Sequence, residues 1–159
     1  MSDLRVARLC DLSQVVSWIK TEQDCVLWSG GRLAFPIDIA DLPECIDFSN
    51  VQSRSLVNDE LVLGFGQLFS KQNNRAHLGR LIVNPDHRGQ GLGRQLAEQL
   101  LQLALDNKPS SVSLNVERTN ATAISIYQRL GFVPADLPVD EPASQSLFMM
   151  RPGVAIHSI

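Results

Sequence analysis

Gly89, Gly91 and Gly93 fall within one short run, "VNPDHRGQGLGRQL" (residues 83 to 96), and are the residues whose type and spacing most directly suggest chemistry. They separate an apolar, strand-like stretch from a strongly helical one. A strand that passes through glycines into a helix N-terminus presents unpaired backbone N–H groups at the positive end of a helix dipole, and these together receive phosphate. A Gly-rich turn that only joins two elements has the same composition, so the turn by itself leaves its ligand open.

Spacing excludes two common phosphate motifs. A P-loop needs Lys and then Ser or Thr after its last glycine, whereas Gly93 is followed by Arg94 and Gln95. A dinucleotide fingerprint needs G-x-G-x-x-G, but counting from Gly89 places Arg94 where the third glycine belongs. What stands here is R-x-x-G-x-G, from Arg88 to Gly93.

The elements that must position this turn follow from periodicity. "RAHLGRLIV" reads as the strand before it. From Leu92 to Asp106, apolar residues at 92, 96, 97, 100, 101, 104 and 105 fall on one face, which predicts an amphipathic helix ended by Pro109. "SVSLNV" is a further strand, and Thr119 or Asn120 is expected to cap a second helix through "NATAISIYQRL" that stops at Gly131. "GFVPA" and "SLFMMR" supply two last strands. Upstream, "LRVARL" alternates like a strand, and Asp11 or Ser13 is expected to cap a helix over 12 to 20. Pro36 and Pro43 bracket a looser, acidic region. "SRSLVNDELVLGFGQLF" predicts an antiparallel hairpin turning at Asn58-Asp59. The order predicts an α+β fold around a mixed, mostly antiparallel central sheet with flanking helices.

The R-x-x-G-x-G spacing, after "RLIV" and before an amphipathic helix, resembles the acyl-CoA pyrophosphate motif of the GNAT superfamily of N-acyltransferases. A second motif agrees: Asn120, Ala123, Tyr127, Gly131 and Phe132 match that family's N-x-x-A-x-x-x-Y-x-x-x-G-F pattern. The resemblance is strong over 75 to 133, while residues 10 to 50 match only as a variable region, where substrate choice lies in this family. It implies that the strands "RLIV" and "SLNV" run parallel and splay apart into a V-shaped slot for the pantetheine arm of acetyl-CoA, the co-substrate.

By this resemblance the backbone of Leu81, Ile82 and Val83 pairs with pantetheine like an added strand. The amides of Gly89, Gln90, Gly91, Leu92, Gly93 and Arg94 hold the pyrophosphate. Without a Cβ, Gly91 and Gly93 let phosphate oxygens approach the main chain, and Arg88 or Arg94 adds charge-assisted contacts or else is merely solvated. The chemistry implied is direct attack of a neutral amine on the thioester. The departing thiolate then needs a proton or a strong hydrogen bond, and Tyr127, the chain's one tyrosine, is the candidate general acid. Its alternative role is a half-buried core aromatic. Asn120 caps its helix and also meets the cofactor.

The general base is less defined. Some relatives that acetylate protein N-termini carry Glu five positions before the Asn120 position, and this sequence has Asn115 there. Glu117, on the same face of an extended strand and about 7 Å further along, is one candidate through a water. His77, at the head of the cofactor strand, is another; His87 and His157 are weaker. Each of these also reads as structural or solvated. Trp18, Trp28, Phe35 and Phe48 either line an acceptor pocket or pack the core. Glu22, Asp24, Asp38, Asp41, Glu44 and Asp47 either attract a cation or form a solvated face.

Composition bounds the rest. At 159 residues the chain fits one domain over 1–159. With 14 basic against 17 acidic residues it lacks the broad basic field that coats nucleic acid or anionic membrane. Cys10, Cys25 and Cys45 are odd in number and free of any C-x-x-C, so neither a disulfide framework nor a metal site is suggested. The charged start and the lack of a long apolar run predict a soluble, cytoplasmic protein. Its partner is an amine acceptor, a small molecule or a protein, and a homodimer is one open assembly state. The leading function is an acetyl-CoA-dependent N-acetyltransferase; the alternative is a non-catalytic acyl-CoA-binding module.

Overall fold

The computed structural model describes residues 2–142 and 144–154. They form two compact units. The first holds the described residues up to Gln67 together with Arg80–Leu96, and the second holds Leu68–Gly79 with the described residues from Ala97 onward.

In the first unit, β1 (Asp3–Val6) pairs antiparallel with β2 (Gln52–Asn58), from Asp3 opposite Val57 to Val6 opposite Arg54. Between them come α1 (Asp11–Ser17), α2 (Glu22–Ser29) and the single turn α3 (Leu42–Cys45). Leu12, Val15, Trp18, Ile19, Cys25, Trp28, Leu42, Ile46, Val57, Val62 and Phe65 make one buried cluster.

Asp11 does not cap α1 as the sequence predicted. The cap is Cys10, which makes no side-chain bond, and Ser13 Oγ instead donates back to the Cys10 carbonyl at 2.9 Å. The Asp11 carboxylate is buried and accepts from Arg5 at 2.7 and 2.9 Å, from the Arg8 N–H at 2.8 Å and from Ser55 Oγ at 2.8 Å. Burial works against its charge, but these four bonds together hold its pKa below the ordinary carboxylate value. Asp11 therefore fastens the end of β1 and the start of α1 to β2.

α2 went unpredicted because Cys25, Val26, Leu27 and Trp28 follow one another around the helix instead of lining one stripe. Its ends carry ordinary signals nonetheless. Thr21 Oγ1 accepts from the Asp24 N–H at 3.0 Å, and Gly30 closes the helix at φ 66°. The hairpin turns one residue later than expected: Asn58 stays in β2, and Asp59, at φ 51°, and Glu60 lead into β3 (Leu61–Lys71).

β4 (Arg75–Val83), α4 (Leu92–Asp106) and β5 (Ser111–Val116) match the sequence reading residue for residue. A parallel pair needs a crossover, and α4 supplies it. β4 and β5 pair parallel from Arg75 opposite Ser111 to Leu78 opposite Leu114. All seven apolar positions of the α4 stripe are buried, each leucine contributing about 1.5–3 kcal/mol. In the second unit, α5 (Ala121–Arg129) and β6 (Val133–Pro134) follow, and β7 (Leu147–Pro152) pairs antiparallel with both β5 and β6. Among the described residues the seven strands run in the order β1-β2-β3-β4-β5-β7-β6, mostly antiparallel with one parallel pair.

Candidate active site

The first unit carries the glycine turn. Gly89 and Gly91 stand at φ 79° and 77°, a region in which an L side chain is strained. A Cβ built on either would meet nothing within 4 Å. Glycine is thus demanded there by the backbone and leaves the face of the turn open. The Gln95 N–H bonds the Gly91 carbonyl at 3.1 Å, closing the first turn of α4. The N–H groups ahead of Gln95 are those a helix leaves without an internal acceptor. Asn84, buried, anchors the approach: its N–H donates to Leu63 O at 2.8 Å and its Nδ2 to Val62 O at 3.3 Å, while its Oδ1 accepts from the Asp86 N–H at 3.0 Å. Arg88 and Arg94 are exposed, and His87 ends the 3-10 turn Pro85–His87.

Just ahead of Leu81, Ile82 and Val83, which are half-buried, β4 carries a kink that the sequence does not announce. Arg80 sits at φ 51° inside the strand, a conformation costing about 1–3 kcal/mol for a non-glycine residue. Its carbonyl accepts from Trp28 Nε1 at 2.9 Å, and its guanidinium donates to Gln67 Oε1 at 2.8 Å. Gln67 Nε2 in turn donates to Ile46 O at 2.9 Å and Ser53 Oγ at 3.0 Å. Trp18 and Trp28 are core residues, Trp28 packing at a tilt on Phe65 with ring centroids 6.2 Å apart. Phe48 packs partly buried against the same core, Phe35 is exposed, and the six carboxylates from Glu22 to Asp47 all face solvent.

The second unit carries Tyr127, Asn120, Glu117 and His77. Asn120 caps α5, its Oδ1 accepting from the Ala123 N–H at 3.1 Å. Tyr127 is half-buried on α5, edge-on to Phe132 with centroids 6.2 Å apart, and burial pushes its hydroxyl pKa up to about 12. Asn115 is exposed in β5 opposite Phe148 of β7. Glu117 is exposed but lies past the end of β5, in a turn closed by the Asn120 N–H bonding the Glu117 carbonyl at 3.0 Å. The strand alternation that would align it with Asn115 ends at Val116.

His77 lies at the centre of a buried polar network. Its Nδ1 is 2.7 Å from Ser113 Oγ, which also accepts from Arg75 at 2.6 Å. Arg75 pairs with Asp140 at 2.8 Å and Glu141 at 3.5 Å, Lys71 pairs with Glu141 at 3.1 Å, and His77 Nε2 stands 3.8 Å from Glu141. The imidazole stacks on Phe148 at 6.4 Å. Burial, against the pull of Glu141, pushes the His77 pKa down to about 4. Sequence reading missed Asp140 and Glu141, which come from the β6–β7 connection. His157 lies outside the described residues.

A glycine turn opening a helix after a kinked strand, followed by a parallel neighbour and an Asn-capped helix carrying Tyr127, defines the class. The profile of the Acetyltransferase (GNAT) family matches residues 16–132, and the chain belongs to that family. Over 84 residues it is 32% identical to the [ribosomal protein bS18]-alanine N-acetyltransferase of Escherichia coli K12, covering 50% of this chain and 57% of that protein. Over 56 residues it is 38% identical to the peptidyl-lysine N-acetyltransferase YjaB of Salmonella typhimurium, 35% of each chain. The chain thus spans little more than half, or less, of these curated relatives. In fold it is similar to the crystal structure of the Escherichia coli ribosomal-protein-S18-alanine N-acetyltransferase, with a TM-score of 0.68 at 24% identity over 100% of this chain and 99% of that one. It is also similar to the Vibrio cholerae spermidine N-acetyltransferase solved with CoA and spermine, with a TM-score of 0.75 at 18% identity over 96% and 95%.

Proposed function

We propose that this chain is an N-acetyltransferase that moves an acetyl group from acetyl-CoA to a primary amine by direct attack in a ternary complex. The observation that carries this reading is the open turn at Gly89 and Gly91, held at positive φ at the start of α4, in a chain of this family. Its main-chain amides receive the pyrophosphate, with Arg88 and Arg94 adding charge at the rim. The backbone of Leu81, Ile82 and Val83 receives pantetheine by strand addition. Asn120 fixes the start of the helix that carries Tyr127.

Tyr127, held near pKa 12, keeps its proton at neutral pH. A thiol of ordinary pKa, about 8.5, is the stronger acid by three to four units, so full transfer to the departing thiolate is uphill by about 5 kcal/mol. Tyr127 therefore serves as a hydrogen-bond donor to the developing sulfur charge, and solvent completes protonation of CoA. The acceptor's proton leaves through water toward Glu117 or bulk.

The chain as one acetyltransferase domain over 1–159 and its cytoplasmic location belong to the same reading, which is compatible with a monomer or a homodimer. The relatives act on an alanine of ribosomal protein bS18 and on peptidyl lysine, by their names, and the acceptor here is an amine of that kind or a small polyamine. Calorimetry with acetyl-CoA, followed by free-thiol detection against amines, peptides and aminoglycosides, tests the reading. Thiol release dependent on one acceptor class supports it. Binding without release across the panel favours a non-catalytic acyl-CoA-binding module, and absence of binding removes both.

A further inference from the structure

We infer that Arg151 is a positioning residue for Tyr127: its buried guanidinium grips the peptide that ends α5, and so fixes the helix turn from which the tyrosine hydroxyl is presented. The inference rests on the acetyltransferase reading above and deepens it.

The turn is a Schellman motif closed on Tyr127 itself. Leu130 caps the C-terminus of α5, and Gly131 follows at φ 96°, a left-handed conformation that glycine takes without strain. The Gly131 N–H donates to the Gln128 carbonyl at 3.0 Å, and the Phe132 N–H donates to the Tyr127 carbonyl at 3.0 Å. These are the two bonds of the motif. The apolar contact that accompanies them is here the edge-on pair of Tyr127 with the buried Phe132. Tyr127 is therefore tied to this turn by its backbone and by its ring.

Arg151 reaches the turn from β7. Its Nη1 donates to the Leu130 carbonyl at 2.8 Å, its Nε to the Pro152 carbonyl at 3.0 Å, and its Nη2 to the Val154 carbonyl. The Leu130 carbonyl and the Gly131 N–H belong to one planar peptide. That plane is held by Arg151 on one side and by Gln128 on the other. Its setting determines where Gly131 sends the chain, and with it where Phe132 meets Tyr127. The guanidinium is charged at any working pH and stands at the negative end of the α5 dipole. It is buried, and among the described residues its acceptors are main-chain carbonyls rather than carboxylates. An apolar side chain would fill that space without the cost of desolvating a cation. What the guanidinium adds is the fixed peptide, through a fork of donors spread over three carbonyls that the single nitrogen of lysine does not reproduce.

The test asks whether Arg151 acts through the Tyr127 hydroxyl. Arg151→Met keeps the apolar stem and removes the fork, and Arg151→Lys keeps the cation as well. Each is assayed for kcat and for CoA affinity, alone and combined with Tyr127→Phe. Arg151→Met should lower kcat roughly tenfold, the scale of one hydrogen bond, with CoA affinity held within about twofold. Arg151→Lys should lose less, and neither should cost anything further in the Tyr127→Phe background. Because Tyr127 is the chain's one tyrosine, 3-fluorotyrosine gives a fluorine NMR signal from this residue alone, and that signal should shift or broaden in both variants. An unchanged kcat in the folded variants, an unmoved fluorine signal, or an equal loss of kcat with and without the Tyr127 hydroxyl overturns the inference. So does failure of both variants to fold, which would make Arg151 a residue of the core alone. A wild type that releases no thiol with any acceptor overturns the acetyltransferase reading instead, and the fluorine signal then still decides whether Arg151 holds Tyr127.

Discussion

His77 Nδ1 and Ser113 Oγ lie 2.7 Å apart in the interior of the second unit, and Arg75 donates to the same hydroxyl. Ser113 Oγ accepts from Arg75 and shares one hydrogen with His77 Nδ1, Nε2 stands 3.8 Å from Glu141, and burial disfavours the charged ring. His77 is thereby a neutral imidazole whose charged form the site resists, with a pKa near 4.

That resistance predicts acid sensitivity. The unfolded imidazole titrates near 6.5 and the folded one near 4, so between these values the unfolded chain binds more protons. The contribution is fully present above about pH 6.5 and is lost as pH falls through 4, to a total of about 3 kcal/mol. Urea unfolding from pH 7 to pH 4 should show this decline, and His77→Gln should remove most of it while lowering stability at pH 7. An equal slope in both proteins would show that His77 does not carry the effect.

For the glycine turn, Gly91→Val should weaken CoA binding by well over tenfold, because a Cβ projects into the open face and positive φ strains the valine. Gly91→Asn separates these causes, since asparagine tolerates the left-handed region. It should leave the melting temperature within a few degrees and still weaken CoA. Wild-type affinity in the folded Asn variant would place the pyrophosphate elsewhere.

The contrast between α4 and α2 shows what the sequence makes legible. α4 was readable to the residue because its burial follows one period over its whole length, and β4 and β5 because turn residues bound their apolar runs. α2 buries Cys25, Trp28 and Ser29 while exposing Val26 and Leu27 between them, so periodicity gives no signal and only Thr21 and Gly30 mark it. Of the candidate site, the glycine turn and the Asn120 cap were legible because each has a local backbone reason: positive φ at Gly89 and Gly91, a side-chain bond to the Ala123 N–H at Asn120. Their supports were not. Arg75 meets Asp140 across 65 residues, and Trp28 meets Arg80 across 52, pairings that no local pattern encodes. Asp11 has the type and position of a helix cap, yet the competing Arg5, Arg8 and Ser55 donors claim its carboxylate.

Tyr127→Phe should keep CoA affinity within a few fold and lower turnover by roughly 10²–10³, the scale of removing one hydrogen-bond donor to a developing charge. Because burial raises the hydroxyl pKa to about 12, Tyr127 stays protonated through the working range. The wild type should therefore show no decline in kcat between pH 8 and 10 attributable to tyrosinate. Undiminished turnover in the Phe variant would remove Tyr127 from the chemistry.

No single side chain should behave as an indispensable base. Asn115 cannot take a proton at neutral pH, and Glu117 stands exposed beyond the end of β5, where water reaches it freely. His77 is neutral but closed within its network, and a pKa near 4 gives it little affinity for a proton leaving an ammonium. Most free amine acceptor is protonated at pH 7, so activity should rise with pH as the acceptor itself loses its proton, the slope following the acceptor's pKa. Glu117→Gln and His77→Ala, assayed separately at pH 7.5 on enzyme titrated for CoA-binding sites, should each lower kcat by less than about a hundredfold, the low end of general-base effects. His77→Ala should cost more in unfolding free energy than in turnover, since it opens a cavity in the buried network and takes one partner from Ser113, which keeps Arg75. If either variant folded, bound CoA and yet released no thiol with a good acceptor, that residue would be the dedicated base, and solvent would not be the route by which the proton leaves.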